Sequence, residues 1–300
     1  MKKHLLITLI ICACFKIVSA QITPAQVIDA AHIASIADSI SAEGKMLALS
    51  EMASWYGTDV FLAKCKSRLS RAGGYLSYNT GSGMNNIFFS KDEKPVVLAT
   101  MSFTLPDISM NGCKVDSTER KLTNAEAELY AIRKVAMAAL IANKDSIFRF
   151  YKNTGTNPVP IIVNGQKRVY FLTSPKSNGQ VIFGNDYLLT FDKDNHITST
   201  KKLHNNLITI NTKPAPDDTS HAVQVAGVHN HLGNTSPFIT ATDICTMILY
   251  HNATTWKQYY VISPTYISIW DFQGAHLTII TKEAWDKIMA NRKTPVPVNH

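Results

Sequence analysis

The sequence predicts an α/β protein in the α+β style, a mixed β-sheet flanked by helices. Three observations lead there. Residues 124–143 carry Leu129, Ile132, Ala136, Ala139 and Leu140 on one helical stripe. Residues 159–210 break into short β-branched and aromatic runs separated by Gly, Asn and Asp, the pattern of consecutive strands. Residues 222–250 join a strand-like run to a helix-like run through a polar loop, the order of an α/β unit.

Taken in order, residues 1–20 read as an export signal and not as part of the fold. Lys2, Lys3 and His4 make a basic start, residues 5–15 an apolar core, and Val18-Ser19-Ala20 a small-residue cleavage site. The apolar stretch is too short for a bilayer, which needs about 20 apolar residues. Lipoprotein processing at Cys14 is the alternative, but Ile11-Cys12-Ala13 is a poor lipobox and the cut after Ala20 fits better. No other segment reads as transmembrane, so the mature protein is expected to be secreted or periplasmic.

From residue 23 to about 70 the pattern is helical, with Pro24 near the start and Val27, Ile33, Ile36 and Ile40 on the apolar side. Gly44 reads as an interruption before a second helical run over 47–56. Residues 72–74 and 78–83 are turn-rich; 86–90 and 95–103 read as strands around a polar turn at 91–94. Pro106 and Gly112 mark a loop before the helix at 124–143, which Thr123 caps and whose Ala-rich stripe suits packing on a sheet. The Gly, Pro and Asn of residues 153–160 read as a linker. It divides the mature chain into a helical and β-hairpin region, 21–152, and a second domain, 153–300.

Strands are expected at 159–163, 168–172, 181–183, 187–191, 197–201 and 207–210, with a hairpin turn at Lys193-Asp194-Asn195. A polar loop at 212–220 leads to a strand over 222–228 and a helix over 244–250. Strands at 258–262, 266–270 and 276–280 follow, then a helix over 282–289 and a Pro-containing tail.

The chain has 300 residues, ample for a buried core. Its 30 basic and 22 acidic residues give +8, or +5 once Lys2, Lys3 and Lys16 leave with the signal. That excess is spread out, with no dense basic run to favour nucleic acid. Beyond the signal the cysteines are Cys65, Cys113 and Cys245. At most one internal pair is available; Cys65–Cys113 is the pair outside the 244–250 helix, while Cys245 reads as core. There is no phosphate-cradling Gly loop, no C-x-x-C, no G-x-S-x-G and no internal repeat.

The chemistry concentrates in fifteen residues, His229-Asn230-His231 through Thr240-Ala241-Thr242-Asp243. Side chains two apart on a strand share a face, so His229 and His231 point the same way at the strand's end. Thr240 and Asp243 open the following helix, where a capping box accounts for both without any metal. Equally, two imidazoles and a carboxylate meeting there make a three-ligand zinc site with a fourth position open, the catalytic form. Both readings stand on the residues alone.

The run resembles the JAB/MPN (JAMM) metalloprotease-like motif, H-x-H, seven residues, Ser, two residues and Asp, and in its HNH form the RadC-type branch. The resemblance covers about residues 160–280 and implies a JAB/MPN-like C-terminal domain. It also implies Zn²⁺ held by His229, His231 and Asp243, with Thr240 in the Ser position that steadies the tetrahedral intermediate. Its implied substrates are proteins or peptides, cut at peptide or isopeptide bonds. Here the spacer holds eight residues, 232–239, and Leu232 stands where Pro is usual. Loops absorb such insertions cheaply.

The family's upstream Glu, its general base, has no counterpart, because no Glu lies between Glu128 and Glu283. Asp186 is the first candidate to replace it; Asp145, Glu126 and Glu128 are the others. Each also has a local explanation as a turn, helix-end or solvated-face residue. His204, which ends the hairpin before the H-x-H strand, reads more readily as a surface turn residue than as part of the site. His196 and His221 show no partner. Trp256, Tyr259, Tyr260, Tyr266 and Trp270 read as strand packing. The expected function is an exported zinc-dependent peptidase or isopeptidase. The alternatives are a catalytically silent JAB-like binding module and an exported effector or toxin-like domain.

Overall fold

A computed structural model describes residues 29–212 and 223–293. The export signal, Cys14, His221 and most of the 212–220 loop lie outside the described residues. The class is α+β, as expected, but the strands do not make one mixed sheet. Among the described residues they form four sheets, antiparallel throughout except for one parallel pair.

Helix α1, Ala30–Lys64, starts at Asp29, whose carboxylate accepts from His32 N–H, and runs unbroken through Gly44. The expected interruption is a contact instead. A β-carbon at Gly44 would stand 2.7 Å from Ile244 Cβ and 2.9 Å from the Ala241 carbonyl oxygen, so the missing side chain lets a later helix pack close. After a 3-10 turn at Lys66–Arg71 come β1, Ala72–Asn79, β2, Gly83–Ser90, and β3, Val96–Thr104, with short β4, Lys114–Asp116, and β5, Arg120–Lys121, beside β3. Of the residues that read as turn-rich, 72–74 and 78–79 belong to β1. Pairing with β2 makes them a strand despite Gly73 and Gly74, with a register shift between Ala72 and Gly74 taking up the irregularity.

Helix α2, Asn124–Ala142, carries the capping box between Thr123 and Glu126 and ends on Asn143 in the left-handed region. The expected linker at 153–160 is not a linker. It belongs to β6, Thr154–Val163, which pairs along its whole length with β7, Gln166–Pro175. Pro158 and Pro160 fit because β6 is the edge of its sheet, where a missing N–H costs no ladder bond. Strand β8, Gln180–Gly184, pairs with β11, Leu207–Asn211; β9, Tyr187–Phe191, pairs with β10, Ile197–Lys202.

The last unit is β12, Ala226–Asn230, then α3, Ala241–Leu249, then β13, Gln258–Ile262, parallel to β12. Antiparallel β14, Tyr266–Asp271, and β15, His276–Thr281, complete that sheet, and α4, Lys282–Lys293, runs a turn longer than expected. No helix among the described residues is long and apolar enough to cross a membrane.

Apolar packing crosses residue 153. Near its start α1 adds Ile33 and Ala37 to the cluster of Ile244, Tyr259, Trp270 and Leu277. In its middle, Leu47 and Ala48 join Val159, Tyr170, Ala241 and Cys245. Toward its end, Ala53, Val60 and Phe61 join Met84, Phe88 and Met101. Cys65, Cys113 and Cys245 are all free and buried; the pairing open to Cys65 and Cys113 is not formed, though both sit in that third cluster.

Candidate metal centre

Three short segments bring the site together. On β12 the alternation of buried and exposed residues turns Gly227 and His229 inward, and His231 continues that face, its N–H bonded to the Ile262 carbonyl. At the start of α3, Thr240 N–H donates to Asp243 Oδ2 at 2.8 Å and Thr240 Oγ1 accepts from Asp243 N–H at 3.1 Å. The Thr240 hydroxyl also donates to Asp243 Oδ2, at 2.7 Å. The capping box therefore uses Asp243 Oδ2 and leaves Oδ1, fully buried, without a hydrogen-bond partner. The capping reading and the ligand reading are one structure: the cap aims the free oxygen.

The third segment is the loop after β10. It carries His204, which is buried and not on the surface. Composition of the turn favoured exposure; what overrides it is Gly184. Gly184 has φ +88°, and a β-carbon there would fall 2.2 Å from the Asn206 carbonyl oxygen and 3.2 Å from His204 Cβ. Only glycine lets the 204–206 loop fold down over β8. The usable sequence signal was Gly184 followed by Asn185, also at positive φ, one strand pair ahead of the H-x-H strand.

His204, His229, His231 and Asp243 could hold a metal ion, their ligand atoms all lying within 4.8 Å of one another. His229 Nε2 is 3.2 Å from His231 Nε2; Asp243 Oδ1 is 3.0 Å from His204 Nε2 and 3.7 Å from His229 Nε2. Asp243 Oδ2 is 3.6 Å from His231 Nε2. Donors at about 2.0–2.1 Å from one tetrahedral ion would stand about 3.3 Å apart, so these spacings fit a shared cation. The tautomers agree. His231 Nδ1 lies 3.0 Å from the Ser236 carbonyl and 2.9 Å from that of Phe238, so it carries the proton and Nε2 offers a lone pair. His229 Nδ1 lies 3.2 Å from the Tyr259 hydroxyl.

Burial pulls the His229 imidazole down to about 4 and lowers His231 too, outweighing the pull of Asp243, so both are neutral near pH 7. Burial alone would raise Asp243, but His204, His229 and His231 hold it far below the usual carboxylate range. Burial opposes the imidazolium of His204, yet Asp243 and Asp186 outweigh it and raise that group. The cluster is one anion facing three imidazoles.

The proposed base residues go elsewhere. Asp186 is buried behind His204, with Oδ2 3.9 Å from His204 Nδ1 and Oδ1 accepting from Thr173 N–H at 2.8 Å. Burial lifts its carboxyl to about 6 against His204 and the Thr173 and Thr242 hydrogen bonds. Glu126 is locked to Arg120, Tyr78 and the Thr123 N–H, Glu128 pairs with Lys167, and Asp145 is exposed beyond α2. None of those three joins the cluster. A cavity of about 350 Å³ opens beside it, walled by His204, His229 and His231, by Phe183, Gly184 and Ile208, and by Val228 through Leu232. Thr240 and Asp186 do not line it.

Tyr259 on β13 and Trp270 on β14 are core, as is Trp256 just before β13. No protein-family model, curated protein or solved structure matches the chain.

Proposed function

We propose that the protein is a metal-dependent hydrolase of peptide or isopeptide bonds, related in its chemistry to the JAB/MPN-like enzymes. Zinc would be held by His229, His231 and Asp243, with His204 and Asp186 as the proton-handling pair. One observation carries this reading: a buried carboxylate oxygen, Asp243 Oδ1, lies among three imidazoles that themselves line a cavity. Three N and O ligands with an open side are the arrangement of catalytic zinc. The H-x-H and Asp spacing supports the peptide-bond substrate, and the export signal read over residues 1–20 supports action outside the cytosol.

Zinc in such a site polarises a carbonyl and acidifies a water. The chain's own residues do the rest. His204 Nε2 faces the cluster and takes a proton there; Asp186, 3.9 Å from Nδ1 and not hydrogen-bonded to it, stabilises by its charge the imidazolium that forms. This pair replaces the missing glutamate. Thr240 serves Asp243, since its hydroxyl proton already points to Oδ2.

A second reading rests on a separate detail. His204 Nε2 and Asp243 Oδ1 are 3.0 Å apart, a spacing that two donors to one ion would also have. With His204 as a fourth ligand, a tetrahedral shell is closed and the protein is a metal-braced binding module.

Metal analysis of wild type, of the H229A/H231A double variant and of His204→Gln, beside a peptidase screen, separates the readings. One zinc per chain in wild type and in H204Q but none in the double variant, with hydrolysis lost from both variants, supports the hydrolase. Zinc lost from H204Q, with an inactive wild type, supports the binding module. No first-row metal in wild type after reconstitution removes both.

A further inference from the structure

Among the described residues, strand β12 ends its sheet and pairs with β13 on one side only. Val225 C=O accepts from Lys257 N–H and His231 N–H donates to Ile262 C=O, so the odd-numbered residues face β13. Strand alternation then turns the N–H and C=O of Ala226, Val228 and Asn230 to the outer edge. Among the described residues no hydrogen bond reaches them there. Val228 is 57% exposed and Leu232, just past the strand, 56%.

Five consecutive residues, Val228 to Leu232, line the 350 Å³ cavity, although alternate side chains point to opposite faces of the sheet. A space touched by both faces runs along the strand's edge. Its far wall is the β8–β11 ribbon, through Phe183, Gly184, Asn206 and Ile208, and the three imidazoles line it too. Edge strands in folded proteins are usually shortened, charged or covered. This one is apolar at Val228 and Leu232 and leads to the metal cluster.

We propose that the outer edge of β12 binds an extended peptide as an added strand, with apolar side chains against Val228, Leu232 and Ile208 and its backbone passing the His204, His229 and His231 imidazoles. That the bound chain is also cut rests on the hydrolase reading; the binding does not. Main-chain pairing supplies affinity in such complexes and alternate side-chain pockets supply selectivity.

The test uses the full chain, zinc-loaded, with a fluorescein-labelled peptide of alternating valine and threonine, and the same peptide N-methylated at alternate amides. Anisotropy reads binding and mass spectrometry reads cleavage. Removing backbone pairing by N-methylation, or by Val228→Pro at an edge N–H, is expected to weaken binding about tenfold or more. Zinc content and circular dichroism report whether V228P folds; if it does not, the N-methylated peptide on wild type decides alone. Equal binding of both peptides, no binding of either, or a dimer of the chain that V228P disperses would overturn the proposal. A peptide bound as expected but left intact keeps the added strand and removes the hydrolase. Cleavage indifferent to N-methylation and to V228P does the reverse.

Discussion

Gly227 and Tyr259 compete for one volume: a β-carbon on Gly227 would stand 2.3 Å from Tyr259 Cε2. The glycine lets the phenol ring lie across β12, and that placement carries its hydroxyl to 3.2 Å from His229 Nδ1. Partners of this kind fix the orientation of a metal-binding imidazole and are worth about 10–100-fold in metal affinity. Tyr259→Phe and Gly227→Ala are each expected to weaken zinc binding within that range. Because both act through one hydroxyl, the double variant should be little worse than either single one. Competition against a chromophoric chelator measures all three.

Asp186→Asn tests the proton-handling pair. Zinc content should stay at the wild-type level while hydrolysis falls by about 10²-fold. Asp186 helps raise the His204 imidazolium, so its loss should also move the acid limb of the rate profile to lower pH. An unchanged profile would show that Asp186 acts only as packing.

Glu51, on α1, gives a pH-dependent stability with no tie to catalysis. It is buried, with Oε1 accepting from Asn157 Nδ2, and burial raises its carboxyl to about 7 from 4.5 in spite of that bond. A carboxyl raised in the folded state is fully tolerated below pH 4.5. It costs progressively more as pH rises through 7, reaching about 3 kcal/mol when ionised. Denaturant midpoints should therefore fall between pH 5 and 8 in wild type. In Glu51→Gln that fall should flatten.

Gly44→Leu probes the contact between α1 and α3. The new side chain must displace Ile244 or the Ala241 carbonyl, which overpacking data put at about 1–3 kcal/mol. Ile244 follows Asp243 in α3, so zinc affinity should fall with the melting temperature.

Much of the secondary structure was legible where local rules and tertiary context agree. The α2 stripe and its Thr123 cap, the β9–β10 hairpin, and the helix and later strands around the H-x-H run follow from periodicity and turn chemistry alone, whereas the strand read at 222–228 starts only at Ala226 and runs on to Asn230. The departures share a cause: a glycine or proline whose meaning depends on a distant neighbour. Gly44 marks a helix contact with Ile244, Pro158 and Pro160 mark an edge strand, and Gly184 marks the crossing of the His204 loop. In a sequence, each looks like a break. Within the site, His229, His231 and Asp243 lie close along the chain and were visible. His204 reaches them only through the fold, and no periodic pattern carries that information.

Helix α1 also sets an order of events. Its amino-terminal half packs with Trp270, Leu277 and Ile279, from strands made long after it during synthesis. Contacts of such sequence separation are slow to form, and domains whose cores need them stay unfinished on the ribosome. Until those strands emerge, Ile33 and Ala37 have no apolar cover.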